Sequence, residues 1–355
     1  MRNVVALFVL GMCVVMGVII LKRDVQPWQT PPPPPARVVV LTNLPEGLTR
    51  PLLAQIEQQT GVAIYTMHEL PDAPGDGLVG RLNSATDKAT VDLILAGELE
   101  SLIRLGEQGQ LAALAQDATP GALGTVSPFY RVVGISPRVL LVRSGEAGRV
   151  PATLADLLGP NHLRRAGLAD PRLPTNRLTY ALLAEQAGGD LNSVLGSGRA
   201  GSIMLHGRHS AVVRAMLSGQ HAFALCNLAD VMAAGPEALD PTRVQIRTLG
   251  NPPLANHAAV GRLVSAPSPE AADRVIEALL SQTVQRLLAA EPAWILPAHP
   301  DARRLVLSGN ASTWPQAVRQ ADFSTAPVPA SARSIESAPS AAHNLLRGQP
   351  SAPGN

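Results

Sequence analysis

The sequence predicts an α/β fold in which mostly parallel sheets are flanked by helices, and three observations carry that reading. Short β-branched runs alternate with stretches of helical hydrophobic spacing from Arg37 to Ala290. Core material is ample, with 46% hydrophobic and 16% charged residues. Polar turns rich in Asn, Glu, Asp and Pro follow the strand runs.

Taken in order, residues 37–41 (RVVVL) form a first strand, and Leu52, Leu53 and Ile56 repeat at helical spacing over 49–60 until Gly61 stops them. Strand 62–66, a helix near 78–84, strand 91–96 and helix 98–108, closed by Gly109, complete a βαβαβ unit. The pattern resumes with an extended stretch over 132–142, a helix over 175–186 after a proline-rich turn, and a helix over 209–217. Strand 222–226 meets a short helix from Leu228, and strand 258–264 leads into helices 269–280 and 282–290. In open α/β sheets ligands bind outside the carboxyl ends of the strands. The turns that matter are therefore 42–47, 67–69, 97–98, 171–176 and 227–230.

Composition excludes several partners. Aromatic residues make up 3% of the chain, too few for base- or sugar-stacking platforms. The net charge of +2 has both signs interspersed, which argues against nucleic acid. Cys13 lies in an apolar run and Cys226 in an apolar strand, so both are read as free thiols, Cys226 as a small buried hydrophobe.

The two ends carry different signals. Residues 4–21 (VVALFVLGMCVVMGVIIL) have the length of a bilayer span and no Ala-x-Ala exit, which favours an uncleaved anchor over 1–24. A lipoprotein box at Leu10-Gly11-Met12-Cys13 and an ordinary cleaved signal are the alternatives. Lys22 and Arg23 balance Arg2, so charge leaves the orientation open. The linker over 25–36 includes Pro31 to Pro35, a stiff spacer of about 3 Å per residue. At the other end, residues 325–355 are rich in Ser, Ala and Pro and are expected to be a disordered tail, with Leu345-Leu346 too little for a helix to bury.

A series of short motifs then narrows the fold. Gln59-Thr60-Gly61-Val62 is followed by Met67-His68-Glu69, Gly77-Leu78-Val79-Gly80-Arg81-Leu82 and Asp92-Leu93-Ile94. Arg104-Leu105-Gly106-Glu107-Gln108-Gly109, Arg138-Val139-Leu140-Leu141-Val142 and Gly167-Leu168-Ala169-Asp170-Pro171 come next. His209-Ser210-Ala211-Val212-Val213 and Asn256-His257-Ala258-Ala259-Val260 complete the series. In order and spacing these resemble the extracellular solute-binding receptors of bacterial ABC importers, in the branch that includes ferric-iron receptors. The resemblance implies a two-lobe clamp with two hinge crossovers, near residues 138–143 and 258–264, and with the bulk of the chain on the periplasmic side. It divides the chain into lobe 1 (37–137 and 262–324) and lobe 2 (138–261), closing over a ligand by a hinge.

The resemblance also implies what the cleft contains. Ferric receptors of this kind hold the metal through an adjacent tyrosine pair where this chain reads Cys226-Asn227-Leu228-Ala229-Asp230. Its tyrosines, Tyr65, Tyr130 and Tyr180, stand elsewhere, so a tyrosinate iron site is not expected. Glu69, Glu98 and Asp230, at three strand ends, form the candidate metal or amine set, with helix capping or exposure as the bland reading. Thr175 and Asn176 open a helix whose N–H groups suit an anion, although Thr175 is equally a plain N-cap. Asn43 and Asn256 match cleft positions as neutral hydrogen-bonders, and Asn227 stands where a related subgroup has an acid. His68 and His209 are weaker metal candidates, each more often a surface or hydrogen-bonded residue. The expected occupant is a metal ion, a small anion or a small polar solute, and no cofactor is assigned.

Catalytic signatures are missing. Residues 196–202 have glycines without the lysine of a phosphate loop, and the chain contains no Gly-x-Ser-x-Gly or His-Glu-x-x-His pattern. The sequence thus points to an inner-membrane-tethered receptor that delivers a solute to an importer permease. The alternative is a sensor or scaffold subunit using the same fold with a degenerate cleft.

Overall fold

Among the described residues, ten strands arrange as two sheets that share one long strand. The computed structural model describes residues 36–70, 77–83, 88–115, 127–195, 203–288, 294–308, 314–324, 326–327 and 332–347. The expected anchor and most of the linker lie outside these residues. Among the described residues no helix is long and apolar enough to cross a membrane.

In the first sheet, β1 (Arg37–Thr42), β2 (Ala63–His68) and β3 (Leu93–Ala96) run parallel in the order β2-β1-β3. Strand β9 (Ala255–Arg262) joins β3 antiparallel, and β4 (Arg131–Arg143) joins β9 antiparallel. The short β10 (Leu296–Pro297) closes that side on β4. Alternation explains why the strands are apolar throughout. Val38 and Val40 face α1 (Glu46–Thr60), α10 (Pro269–Leu280) and α11 (Gln282–Leu288), whereas Val39 and Leu41 face α2 (Gly77–Leu82) and α3 (Glu100–Glu107). Gly61 ends α1 in the left-handed region at φ 66°, and its N–H closes on Glu57 O at 2.9 Å.

The first half of β4, through Pro137, pairs with β9; from Arg138 it pairs with β7 (Phe223–Asn227) and then also with β8 (Val244–Thr248). β5 (Ala166–Ala169) and β6 (Leu205–His206) extend this second sheet in parallel from β7. The sheets are therefore mixed: a parallel trio in each lobe is joined through antiparallel β9 and β4. This is the α/β two-lobe clamp expected from the sequence, with β4 and β9 side by side as its hinge. Helices α4 (Leu154–Leu158), α5 (Pro174–Gln186) and α6 (Leu191–Leu195) cover one face of the second sheet, and α7 (His209–Leu217), α8 (Leu228–Ala233) and α9 (Pro236–Leu239) the other. Thr153 and Asp156 cap α4 reciprocally, at 3.0 and 3.1 Å.

Two expectations for the C-terminal part are corrected. Beyond α12 (Pro300–Ser308), Trp314, Phe323 and Val318 of α13 (Gln316–Gln320) share a cluster with Val139, Leu141 and Val244 of the second sheet and with Val132, Ile135 and Leu296 of the first, so this stretch packs on both sheets and not on lobe 1 alone. The tail expected to be disordered contains α14 (Ala332–Leu346). Ala338, Ala342 and Leu346 lie in the core with α5 and α6, while Ile335 joins the cluster of α2 and α3. Two of its buried positions, Ala338 and Ala342, are alanines, which a hydrophobicity reading undercounts.

Candidate functional site

Polar side chains follow the ends of β1, β2, β3, β5 and β7 and stand at the start of β9. Asn43 follows β1, Glu98 follows β3, Thr175 and Asn176 open α5 after β5, Asn227 ends β7, Asp230 lies in the first turn of α8, and Asn256 is the second residue of β9. Glu69 follows β2.

On the side of the first sheet, Glu98 is 1% exposed. Its Oε1 accepts from the Ser101 hydroxyl at 2.7 Å, and its Oε2 accepts from the Asn43 amide. Asn43 Oδ1 in turn accepts the Gly97 N–H at 2.8 Å. Burial pushes the Glu98 carboxyl up to about 7, against the lowering effect of the Asn43 and Ser101 hydrogen bonds. Two residues on, Glu100 accepts from Arg177 of α5 at 2.8 Å and from Arg104 at 3.5 Å.

On the other side a network gathers around Arg138, a fully buried cation at the point where β4 changes sheets. Its Nη1 donates to Thr175 O at 3.0 Å and to Asn227 Oδ1 at 3.3 Å, and lies 3.5 Å from His209 Nε2. Asn227 Nδ2 donates to Asp230 Oδ2 at 3.2 Å, and Asn256 Nδ2 donates to Asn227 Oδ1 at 3.3 Å. Burial, reinforced by the Arg138 charge, lowers the His209 pKa well below its usual value, so the ring is neutral. It meets the Thr175 hydroxyl at 3.2 Å. His209 is a hydrogen-bonded core histidine, and His68 is exposed at the end of β2.

The structure thus brings Asn43 and Glu98 into one cluster and Thr175, Asn227, Asp230 and Asn256 into another. Asn176 is attached to the second through its neighbour Thr175. Glu69 stays apart: β2 is the outer strand of its sheet, and the Glu69 carboxylate accepts the Leu70 N–H at 3.2 Å. Among the described residues no group of three or more His, Cys, Asp or Glu is placed to hold a metal, so the expected Glu69, Glu98 and Asp230 set is not assembled. The physical reason is strand order, which separates β2 from the hinge strands β9 and β4 by β1 and β3.

The anion expectation at Thr175 and Asn176 also weakens. Pro174 has no N–H, and Leu173 O accepts both Asn176 N and Arg177 N, at 2.8 and 3.1 Å. Sequence reasoning placed Arg138 in a hinge strand but gave it no site role; a lone arginine in an apolar run at a sheet change was the available signal. A separate groove of about 510 Å³ lies between β8 and α13, lined by Leu239, Val244, Ile246 and Gln316, and none of the cleft residues borders it.

Comparisons agree with this architecture. A family model described as bacterial extracellular solute-binding protein matches residues 37–291. Apo ferric ion-binding protein A of Pasteurella haemolytica is similar, with 17% identity over 87% of this chain and 96% of that one and a TM-score of 0.67. Iron-bound HitA from Pseudomonas aeruginosa is 16% identical over 88% and 99% of the chains, with a TM-score of 0.66. The substrate binding protein of an ABC transporter from Agrobacterium tumefaciens is 15% identical over 89% and 96%, with a TM-score of 0.60. No curated protein sequence matches significantly. At these identities the solved structures establish the shared fold.

Proposed function

Because the chain belongs to the bacterial extracellular solute-binding proteins, we propose that it captures a small solute between its two lobes and presents it to an ABC importer permease. The observation that supports this most directly is the presence of two buried polar groups, Asn43 with Glu98 after strands of the first sheet, and Thr175, Asn227, Asp230 and Asn256 around Arg138, where β4 passes from one sheet to the other. Solute that touches both groups stabilises the closed clamp relative to the open one, which is the whole of the mechanism such a protein needs. The reading keeps the bulk of the chain in the periplasm, tethered to the inner membrane by residues 1–24. It names binding, not catalysis, as the activity.

Similar structures bind ferric iron, and that cargo is the natural first candidate. The side chains present argue otherwise. Tyr180 is buried in α5, Tyr130 immediately precedes β4, and Tyr65 lies exposed on β2. Hard Fe(III) prefers several anionic oxygens, and of the expected carboxylates Glu98 is pushed toward its neutral form while Glu69 stands apart.

The second reading, a sensor or scaffold subunit, draws support from the Arg177–Glu100 pair and from α14, whose buried residues pack on both lobes. Native mass spectrometry and a thermal-shift panel on the full chain in mild detergent separate the two. The panel holds ferric citrate, divalent metals, phosphate, amines and polyols. A ligand at 100 times its Kd adds about 2.7 kcal/mol, which is several degrees for a domain of this size. A co-purified mass or one clear shift supports the receptor. A well-folded protein that answers to nothing favours the sensor or scaffold.

A further inference from the structure

Outside the Arg138 network, His206 and His221 face each other across a strand of the second sheet. His206 ends β6, the outermost strand, and His221 stands two residues before β7, with β5 lying between those strands. Their Nε2 atoms are 3.0 Å apart, the rings meet edge to face, and both residues are partly exposed. Gly167 of β5 makes the approach possible, since a Cβ there would meet His221 Cδ2 at 2.6 Å. The 15 positions between the two histidines contain α7, so the contact ties the entry of that helix to its exit. Strand β6 is two residues long, which leaves it few backbone bonds of its own.

A neutral imidazole has one donor and one acceptor. The facing nitrogens therefore share a hydrogen bond when the pair is neutral, and also when it carries one extra proton. A second extra proton puts hydrogen on both Nε2 atoms and sets two like charges at 3.0 Å. Among the described residues, the charges around the pair do not favour that dication. Arg143 of β4 donates to the His221 carbonyl, and Arg208 and Arg214, before and within α7, are exposed. Arg165, before β5, is paired with Glu146, and His162 packs edge-on against Phe223 of β7. Asp170, after β5, is held by Arg172 and His343. Burial keeps both rings below the usual histidine value, and His206 and Arg143 add to this at His221.

We propose that His206 and His221 form an acid-sensitive staple, which holds β6 and α7 on the second sheet near neutral pH and lets them loosen when the pair takes up its second proton. The sign follows from linkage. In the unfolded chain each histidine titrates near 6.5, so above that pH the staple contributes fully. As pH falls below it, the unfolded chain binds two protons where the folded pair accepts fewer, and the contribution is lost. The loosened segment includes His209, in the first turn of α7, which lies 3.5 Å from Arg138 Nη1 and 3.2 Å from the Thr175 hydroxyl. Acid therefore reaches the Arg138 network through its supporting helix. The proposal concerns the fold and stands apart from what the cleft binds.

The test is amide hydrogen exchange on the full chain in mild detergent, at about pH 7.5 and about pH 5, corrected for the intrinsic rate at each pH. Protection of β6 and α7 should fall roughly tenfold or more in acid, while that of β1 and α1 changes far less. Two variants tie the effect to the pair. In His206→Gln the amide turns to donate to a neutral His221 or to accept from a protonated one. That variant should keep parent-like protection near neutral pH and lose most of the acid response. His221→Ala removes the staple and should be loose in α7 at both pH values, with little further change in acid. Unchanged protection of β6 and α7 in the acidified parent overturns the proposal. So does a parent-sized acid response in His206→Gln, because the loosening would then come from another buried histidine, such as His209 of α7 or His257 of β9.

Discussion

Arg177, in the first turn of α5, donates to the Glu100 carboxylate in the first turn of α3 at 2.8 Å, and so links helices that follow strands of different sheets. Glu100 is 2% exposed, and burial raises its pKa while Arg177 and Arg104 pull it back. Removing Arg177 leaves a buried carboxylate with Arg104 as its remaining arginine partner at 3.5 Å. Breaking a buried pair is costly, and the partial exposure of Arg177 reduces the figure, so Arg177→Ala should destabilise the protein by about 1–3 kcal/mol. Urea unfolding measures it. In a double-mutant cycle with Glu100→Gln the two losses should fall short of additive, and strict additivity would mean that the pair carries no coupling.

Glu98 sets a pH dependence whose sign follows from its raised pKa. Below about 4.5 the carboxyl is protonated in both folded and unfolded chains, so its contribution to stability is fully present. As pH rises through about 7 the folded protein must ionise a buried group, and the contribution is lost. The displacement corresponds to on the order of 3 kcal/mol. Glu98→Gln cannot ionise and should flatten the stability profile between pH 5 and pH 8 relative to the parent. Parallel profiles for the two proteins would show that Glu98 is not the group responsible.

Gly134 sits at the irregularity in the β4–β9 pairing, opposite Pro297 of β10. A Cβ there would collide with the Ile295 side chain and approach Leu296 O to 2.8 Å. Backbone cannot step aside as a flexible side chain can, so Gly134→Ala should cost about 1–3 kcal/mol in denaturant unfolding. Gly145→Ala, with nothing within 4 Å of the added carbon, is the matched control and should be near neutral. Equal midpoints for the two variants would contradict the packing described at β10.

The residues that were legible in the sequence are those whose role is local. Val38 through Leu41 announce a strand buried on both faces, and Gly61 marks a helix end that needs positive φ. Strand ends were legible as well, which is why Asn43, Glu98, Thr175, Asn227 and Asp230 could be singled out. Strand order was not legible, and Glu69 was therefore counted among neighbours it does not have. Arg138 escaped for a related reason: its partners Thr175, His209 and Asn227 are 37, 71 and 89 positions away. Whether a buried arginine is satisfied is a property of the assembled fold.

The C-terminal helix yields the last prediction, because its apolar face is divided between the two lobes. Leu346 is buried with Leu183, Leu191 and Leu195 of the second lobe, and Ile335 with Leu99, Leu102 and Leu105 of the first. Two polar contacts frame it: Arg104 lies 3.6 Å from Glu336, and His343 lies 3.1 Å from Asp170. Truncating a fully buried Leu or Ile to Ala costs about 2–5 kcal/mol when the site cannot collapse. Leu346→Ala and Ile335→Ala should each fall toward the lower end, since a helix at the edge of the fold can shift to fill space. The two variants should differ in where amide exchange accelerates. Leu346→Ala should loosen α5 and α6, and Ile335→Ala should loosen α3 and let the lobes separate, which small-angle scattering would register as a larger radius of gyration. Parent-like unfolding and exchange in both variants would mean that α14 is not packed on the domain and that residues beyond 331 contribute nothing to holding the clamp together.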